Sequence, residues 1–107
     1  MKDPSDPVPK LVAFEWDDGN AEKSWFKHSV RASECEEVFM KKPLLVNEDP
    51  RHSSDESRQF ALGQTHTGRR LFVVFTQRGK WIRVISARDM SRRERRSYGE
   101  AEAQIDS

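Results

Sequence analysis

At 107 residues and 12.5 kDa, the chain has room for one domain and one modest core, which excludes a bulky cofactor and a second substrate domain. Apolar and charged residues each make up 35% of the chain, so it can fold but must carry much of its charge on the surface. The formal net charge is only +1, yet residues 69–96 hold ten basic residues against two acidic ones, a local charge of +8. Such a concentration indicates a polyanionic partner.

The cellular compartment is suggested by what the sequence lacks. Its single cysteine, Cys35, excludes an internal disulfide, and the N-terminus has neither the basic start nor the apolar stretch of a signal peptide. No apolar run approaches the roughly 20 residues that span a bilayer. We therefore expect a cytoplasmic protein with no membrane contact.

Three prolines in the first nine residues disfavour helix and leave little to bury. They predict a flexible tail over residues 1–10, followed by a single domain over residues 11–107. Residues 11–16 are rich in strand formers and predict a first strand at the edge of a sheet.

Two helices are predicted next. Asp17 and Asp18 can cap a first helix, which would end near residues 27–29. The Ser-Glu-Cys-Glu sequence at residues 33–36 matches a capping box and predicts a short second helix over residues 33–40.

The rest of the sheet is predicted from four runs of strand formers, at residues 44–48, 58–63, 70–76 and 81–87. The last three are separated by short glycine-containing turns and should form a meander. The run at residues 70–76 is apolar on both faces, so it should be the central, covered strand.

A final helix is predicted over about residues 92–103. A second capping box, from Ser91 to Glu94, would open it. Apolar residues beyond Tyr98, Ala101 and Ile105 are few, which predicts weak anchoring. The fold class is therefore α+β, a small antiparallel sheet packed by the N-terminal helices and followed by a basic C-terminal helix.

Arginines dominate the basic region. Their planar guanidinium groups match phosphate oxygens, so a cluster at a strand end and a helix N-terminus suits a nucleic-acid backbone. A solvated helix face and a surface for an acidic protein partner are the alternatives. The residues are Arg83, Arg88, Arg92, Arg93, Arg95 and Arg96.

Candidate proton carriers are His28, His52 and Glu56. RNA cleavage by its own 2′-hydroxyl needs a base, an acid and positive charge on the phosphorane, all of which side chains can supply without metal. His52, Glu56 and Arg58 lie close together where a loop enters a strand, as catalytic residues often do. His28 as a helix C-cap and His52 as a plain surface residue remain open.

Metal binding and thiol chemistry are weakly indicated. Asp49, His52, Asp55 and Glu56 could bind a metal ion, but the sequence has no second His or Cys at a recognised ligand spacing from them. No metal or other cofactor is therefore expected. Cys35 falls on an apolar helical stripe and is better explained as a core residue than as a nucleophile.

Several ordered motifs resemble the BrnT family, toxins of type II toxin-antitoxin operons. The resemblance runs from about Phe14 to Glu100. The motifs are Phe14-Glu-Trp-Asp17, Lys27-His28, Glu48-Asp-Pro-Arg-His-Ser53, Glu56 with Arg58, Arg83-Val-Ile-Ser-Ala-Arg88 and Glu94-Arg-Arg-Ser-Tyr98. Among the departures, Ser29 stands where family members commonly have Gly, and Asn20 where they commonly have Lys.

The resemblance implies a RelE-like fold with helices on one side of the sheet and a ribonuclease activity that blocks translation. It implies RNA binding and charge stabilisation by Arg58, Arg83 and Arg88, and the arginine cluster itself predicts further RNA binding by Arg92, Arg95 and Arg96. It implies acid or base roles for His52, Glu56 and Tyr98. The implied partners are RNA and a BrnA-type antitoxin with a ribbon-helix-helix domain, through which the complex would bind operator DNA. A non-catalytic antitoxin-binding or nucleic-acid-binding module, acting as an operon co-repressor, is the alternative.

Overall fold

The computed structural model describes residues 13–17, 19–20, 28–48 and 58–106. The predicted tail over residues 1–10 lies outside this part of the chain. Gly19, Asn20 and His28 are helical, but the rest of the predicted first helix is not among the described residues.

Five strands form one sheet in the order β1-β5-β4-β3-β2. Strand β1 pairs in parallel with β5 at the edge, and the other three pairings are antiparallel. The predicted edge strand and central strand are therefore confirmed. The strands are β1 Ala13–Phe14, β2 Leu45–Glu48, β3 Arg58–Gln64, β4 Arg70–Arg78 and β5 Trp81–Asp89.

The turns of the meander follow from glycine chemistry. Gly68 precedes β4 with φ 91°, and Gly79 joins β4 to β5 with φ 58°. Both values lie in the region that residues with a Cβ atom avoid. Glycine at these positions therefore allows the chain to turn tightly between neighbouring strands.

Strand β4 separates the two faces of the sheet. Leu71, Val73 and Phe75 are fully buried and point to what we call the inner face. Phe72 and Val74 are only partly buried and point to the opposite, outer face. The period of two between these sets is the alternation expected of a strand, here with apolar residues on both sides.

A bulge in β5 changes which of its residues share a face. Val74 pairs with Ser86 but Phe75 pairs with Val84, so Ile85 is the extra residue. Arg83 and Arg88 are five positions apart and would face opposite ways on a regular strand. The bulge brings both to the outer face.

The inner face carries the main core. Helix α1, Ala32–Val38, packs Cys35 and Val38 onto it, and Phe39 meets the ring of Phe75 edge-on at 5.0 Å between centroids. Gly63 on β3 allows this close approach, because a Cβ there would lie 2.6 Å from Val38 Cγ1. Burial raises the pKa of the Cys35 thiol to about 12, which fits the predicted core role.

Helix α2, Arg92–Asp106, packs on the outer face, so the expectation of helices on one side only was wrong. The side chain of Tyr98 on this helix is fully buried and packs against Leu62 and Met90. Two arginines of the sheet, Arg70 and Arg88, form ion pairs with Glu102 and Glu94 of the helix. As predicted, few apolar residues anchor this helix, since Tyr98 is buried whereas Ile105 is exposed. One large aromatic residue still buries much apolar area, and the ion pairs of Glu94 and Glu102 add to this anchor.

One of the two predicted capping boxes is present. Glu94 N–H donates to Ser91 Oγ at 3.2 Å, and Ser91 N–H donates to Glu94 Oε1 at 2.8 Å. The box at residues 33–36 was placed two residues late, since Arg31 N–H donates to Glu34 Oε1 at 2.9 Å and α1 starts at Ala32. Glu36 instead accepts a hydrogen bond from the Trp16 indole at 2.7 Å.

Candidate nucleic-acid interface

Two of the predicted RNA-binding residues meet in one row across the outer face. Arg58 on β3 pairs with Thr76 on β4, and Thr76 pairs with Arg83 on β5. We call these three residues the arginine row. Adjacent strands are about 4.8 Å apart, so the two arginine Cα atoms are separated by roughly 10 Å, within the joint reach of two guanidinium groups.

Arg83 is held by two carboxylates that follow β1. Its Nη1 donates to Glu15 Oε1 at 3.0 Å, and its Nη2 donates to Asp17 Oδ2 at 2.8 Å. The pKa of Asp17 is lowered, chiefly by the N–H of Asn20 and next by Arg83, and the hydrogen bond that Arg83 donates to Asp17 raises the pKa of Arg83. About 38% of the Arg83 side chain stays exposed, so the group is fixed in direction and still accessible.

Asn20 positions these carboxylates. Its side-chain amide donates to the carbonyl oxygens of Glu15 and Val84, both at 3.0 Å, and its Oδ1 accepts from Asp17 N–H at 2.7 Å. Asp17 Oδ1 in turn accepts from Asn20 N–H at 3.0 Å. This reciprocal pair was not predicted, although the Asp-x-x-Asn spacing has the form of a capping box.

A pocket of about 240 Å³ opens beside the arginine row. It also contains Trp81, which pairs with Arg78 across the β4–β5 hairpin and is 49% exposed. The sequence did not single out Trp81, because its position in a strand is also explained by packing. The lining residues are Glu15, Thr76, Arg78, Trp81 and Arg83.

Arg88 lies on the outer face, but its guanidinium group is already engaged by neighbouring side chains. Its guanidinium group stacks 4.1 Å above the Phe72 ring and makes a two-pronged ion pair with Glu94, at 2.8 and 3.0 Å. Burial by itself would raise the pKa of Glu94, but the bonds from Arg88 and from Ser91 lower it overall. These contacts fasten the start of α2 to the sheet.

Tyr98 is the predicted acid or base whose placement fits that role least. Its side chain is fully buried, and its hydroxyl donates to the carbonyl oxygen of Pro43 at 2.7 Å. Burial raises the pKa of the phenol. Because the Tyr98 hydroxyl is buried and already donates its proton to a hydrogen bond, it connects α2 to the segment before β2.

The remaining predicted cations form an exposed surface at the start of α2, which we call the α2 arginine surface. Within the described residues, Arg92, Arg93 and Arg96 make no ion pair, and Arg95 interacts at longer range with Asp89. All four are exposed. They belong to a different element from the arginine row and are free to approach a phosphate backbone.

His52 and Glu56, the other predicted acid or base residues, lie outside the described residues. His28 is helical and exposed, and its carbonyl oxygen accepts a hydrogen bond from Arg69 at 3.2 Å. In the described ranges, no three His, Cys, Asp or Glu side chains are grouped as metal ligands would be. No described helix is long and apolar enough to cross a membrane.

The fold and the interface together define a small α+β domain with a cationic, partly aromatic sheet face, of the kind found in proteins that bind single-stranded nucleic acid. The family described as "Ribonuclease toxin, BrnT, of type II toxin-antitoxin system" matches residues 16–94. This match covers most of the chain, so the protein belongs to the BrnT family of ribonuclease toxins. Among curated proteins, none matches the chain.

Proposed function

We propose that the protein is an endoribonuclease that cleaves RNA without a metal ion and thereby blocks translation, on a RelE-like fold that differs from the expected one in having α2 on the outer face. The observation that carries the proposal is the arginine row, which sets Arg58 and Arg83 on either side of Thr76 on an accessible sheet face. Family membership supplies the reaction class. The row supplies a place for the scissile phosphate.

The chemistry asks for positive charge where the phosphorane forms. Arg83 has five N–H donors and is already oriented by Glu15 and Asp17, so its remaining donors can meet a phosphate oxygen with little further ordering. Arg58 would contact the same phosphate from β3. We assign both residues to charge stabilisation.

Proton transfer is assigned to Glu56 and His52. Glu56 precedes Arg58 by two residues in the sequence, and the resemblance to the BrnT family gives both residues a functional role. A carboxylate and an imidazole can act as base for the 2′-hydroxyl and acid for the departing 5′-oxygen. Tyr98 is left out of this assignment because it is buried and bonded to Pro43.

Arg88 is assigned a positioning role, and RNA binding is assigned to the α2 arginine surface. Arg88 contributes through its hold on Glu94 and Phe72, which fixes α2 beside the sheet. The exposed arginines of α2 would then track the RNA backbone beyond the cleaved bond.

We further propose a BrnA-type antitoxin with a ribbon-helix-helix domain as the protein partner. An acidic segment of that antitoxin would cover the cationic outer face and so exclude RNA. Contact with operator DNA would occur only through the antitoxin.

The test is cleavage of total RNA by the purified protein, with and without EDTA. Cleavage should survive EDTA, and Arg83→Ala, Arg58→Ala and Glu56→Ala should each slow it by about 100-fold or more, the usual loss when one transition-state donor or proton carrier is removed. Lys41→Ala, a cation between α1 and β2, is the matched control and should cleave normally. Full activity in the Arg83 and Arg58 variants would rule out the arginine row as the site.

A non-catalytic module acting as operon co-repressor is the second candidate. It is favoured by the carboxylates that already engage Arg83 and Arg88, since such arginines could serve binding alone. Retained binding of RNA or antitoxin with no cleavage of RNA, on or off ribosomes, would support it over the enzyme.

A further inference from the structure

The pocket beside the arginine row has a chemistry that phosphate binding does not use. Its walls include the exposed ring of Trp81 and the carboxylate of Glu15. A phosphate gains nothing from an indole ring, and the Glu15 carboxylate, beyond the Oε1 atom that orients Arg83, still offers acceptor lone pairs that a phosphate oxygen cannot pair with. These two groups therefore indicate a different part of the ligand.

We propose that this pocket is a nucleobase subsite that takes one guanine of single-stranded RNA, next to the phosphate held at Arg83. The inference rests on the proposed function for the presence of RNA, and it adds which base is read and by which residues. Its volume of about 240 Å³ is large enough for a single planar base.

Trp81 supplies the stacking surface. It lies at the start of β5, two residues before Arg83, and consecutive alternate residues of a strand are about 6.6 Å apart on the same face. A base stacked on the indole would therefore place its own sugar and phosphate towards the arginine row. Stacking on an aromatic side chain contributes about 1–3 kcal/mol per base whatever the base is.

Glu15 supplies the selectivity. Guanine differs from the other three bases in presenting two adjacent donors, N1–H and N2–H, which a carboxylate can accept together. Glu15 is bonded to Arg83 through Oε1, which fixes its direction at the pocket wall. Thr76 adds a hydroxyl that can donate or accept, and the nearby guanidinium groups suit the O6 acceptor of guanine.

The test measures binding of short 2′-O-methyl oligouridines that contain one central G, A or C, which cannot be cleaved at that sugar. The wild-type protein should bind the G oligomer at least several-fold more tightly than the A and C oligomers. Trp81→Ala should weaken binding of all three by about 5- to 150-fold, and Trp81→Phe should restore part of it. Glu15→Gln should remove the preference for G.

Controls separate the subsite from folding and from catalysis. Ile105→Ala removes another exposed apolar side chain, at the end of α2, and should leave binding unchanged. Equal binding of the G, A and C oligomers, or unchanged binding by Trp81→Ala, would overturn the subsite. Selective binding of the G oligomer together with intact total RNA would instead refute cleavage and leave the subsite standing.

Discussion

The hydroxyl of Tyr98 links two parts of the chain that are 55 residues apart, because it donates to the carbonyl oxygen of Pro43. Around it, Leu62 and Met90 complete a small cluster on the outer face. The tie sets the distance between α2 and β2. It therefore acts on stability, and on the RNA surface only through the position of the helix.

Tyr98→Phe should lower the free energy of unfolding by about 1 kcal/mol, the usual effect of losing one buried hydrogen bond, and should leave the rate of RNA cleavage unchanged. Urea titration followed by circular dichroism measures the first quantity, and cleavage of a labelled RNA measures the second. A cleavage rate reduced 100-fold or more with unchanged stability would return Tyr98 to the catalytic residues.

Two outer-face arginines illustrate how similar contacts can serve different purposes. Arg83 is bonded to Glu15 and Asp17 on an open edge and keeps donors available at a pocket. Arg88 stacks on the Phe72 ring and donates two hydrogen bonds to the Glu94 carboxylate. The face of its guanidinium group and both of its terminal nitrogens are therefore already engaged. The two arginines have the same charge, so they differ in how many of their N–H donors remain available for a phosphate oxygen.

Among the elements, the end of β5 and the start of α1 are joined through Arg69. Its guanidinium group bonds Asp89 at 2.8 and 3.1 Å and Glu34 at 3.2 Å. It also donates to the carbonyl oxygens of His28 and Ser29, the latter with φ 55°. The left-handed conformation of Ser29 is one that Gly would adopt without cost.

This network should appear in the dependence of stability on pH. The bond from Arg69 lowers the pKa of Asp89 below its unfolded value near 4, so the folded state gains stability from the charged form. The gain is complete above the unfolded pKa and is lost as the pH falls through the lowered folded value. Asp89→Asn should therefore be less stable than wild type at pH 7, with the difference shrinking below about pH 4.

Thermal unfolding between pH 2 and pH 7 measures this difference. Glu100→Gln, which removes an exposed carboxylate on α2, is the matched control and should track wild type more closely. A constant offset between Asp89→Asn and wild type across the whole range would show that the ion pair is not the source of the effect.

At the scale of the whole molecule, charge is divided between parts of the chain. Residues 1–20 carry two basic and five acidic residues, whereas residues 61–107 carry ten basic and five acidic ones. From this basic part, the structure places Arg83 in the arginine row on the sheet and four arginines in the α2 arginine surface. A polyanion that crosses both surfaces would be held by more cations than either surface offers.

Binding of a 2′-O-methyl RNA oligomer should therefore depend steeply on salt. Each phosphate contact of a single strand contributes about 0.7 to the slope of log affinity against log salt, so Arg92→Ala with Arg96→Ala should reduce the slope by about 1.4. Fluorescence anisotropy at several salt concentrations measures it, with Lys41→Ala as control. An unchanged slope would place RNA away from the α2 arginine surface and favour a protein partner there.

Much of the fold was predictable because local patterns decide it. The strands at β3, β4 and β5 follow from runs of β-branched and aromatic residues between glycine turns, and the capping box at Ser91 follows from hydrogen bonds over three residues. The side of the sheet taken by α2 was not predictable. It depends on whether Tyr98 finds a buried place, and that depends on the partner residues on β3 and before β2.

The candidate site was predictable in its residue types and not in its arrangement. Arg58 and Arg83 were both expected to bind RNA, but only strand register makes them neighbours of Thr76. The bonds of Glu15 and Asp17 to Arg83 were not predicted, because contacts over more than sixty residues leave no local pattern. Asn20 had such a pattern, in its spacing from Asp17.

By itself, the sequence determined the class of fold, the central strand, the concentration of positive charge and, through its ordered motifs, the family. Those properties depend on composition and on neighbours within a few residues. The tertiary structure alone decided that the β5 bulge turns Arg83 and Arg88 to one face, that Tyr98 is buried, and that Trp81 lines a pocket. Each of these depends on register and packing between distant segments, and a single extra residue in one strand reverses which face a side chain occupies.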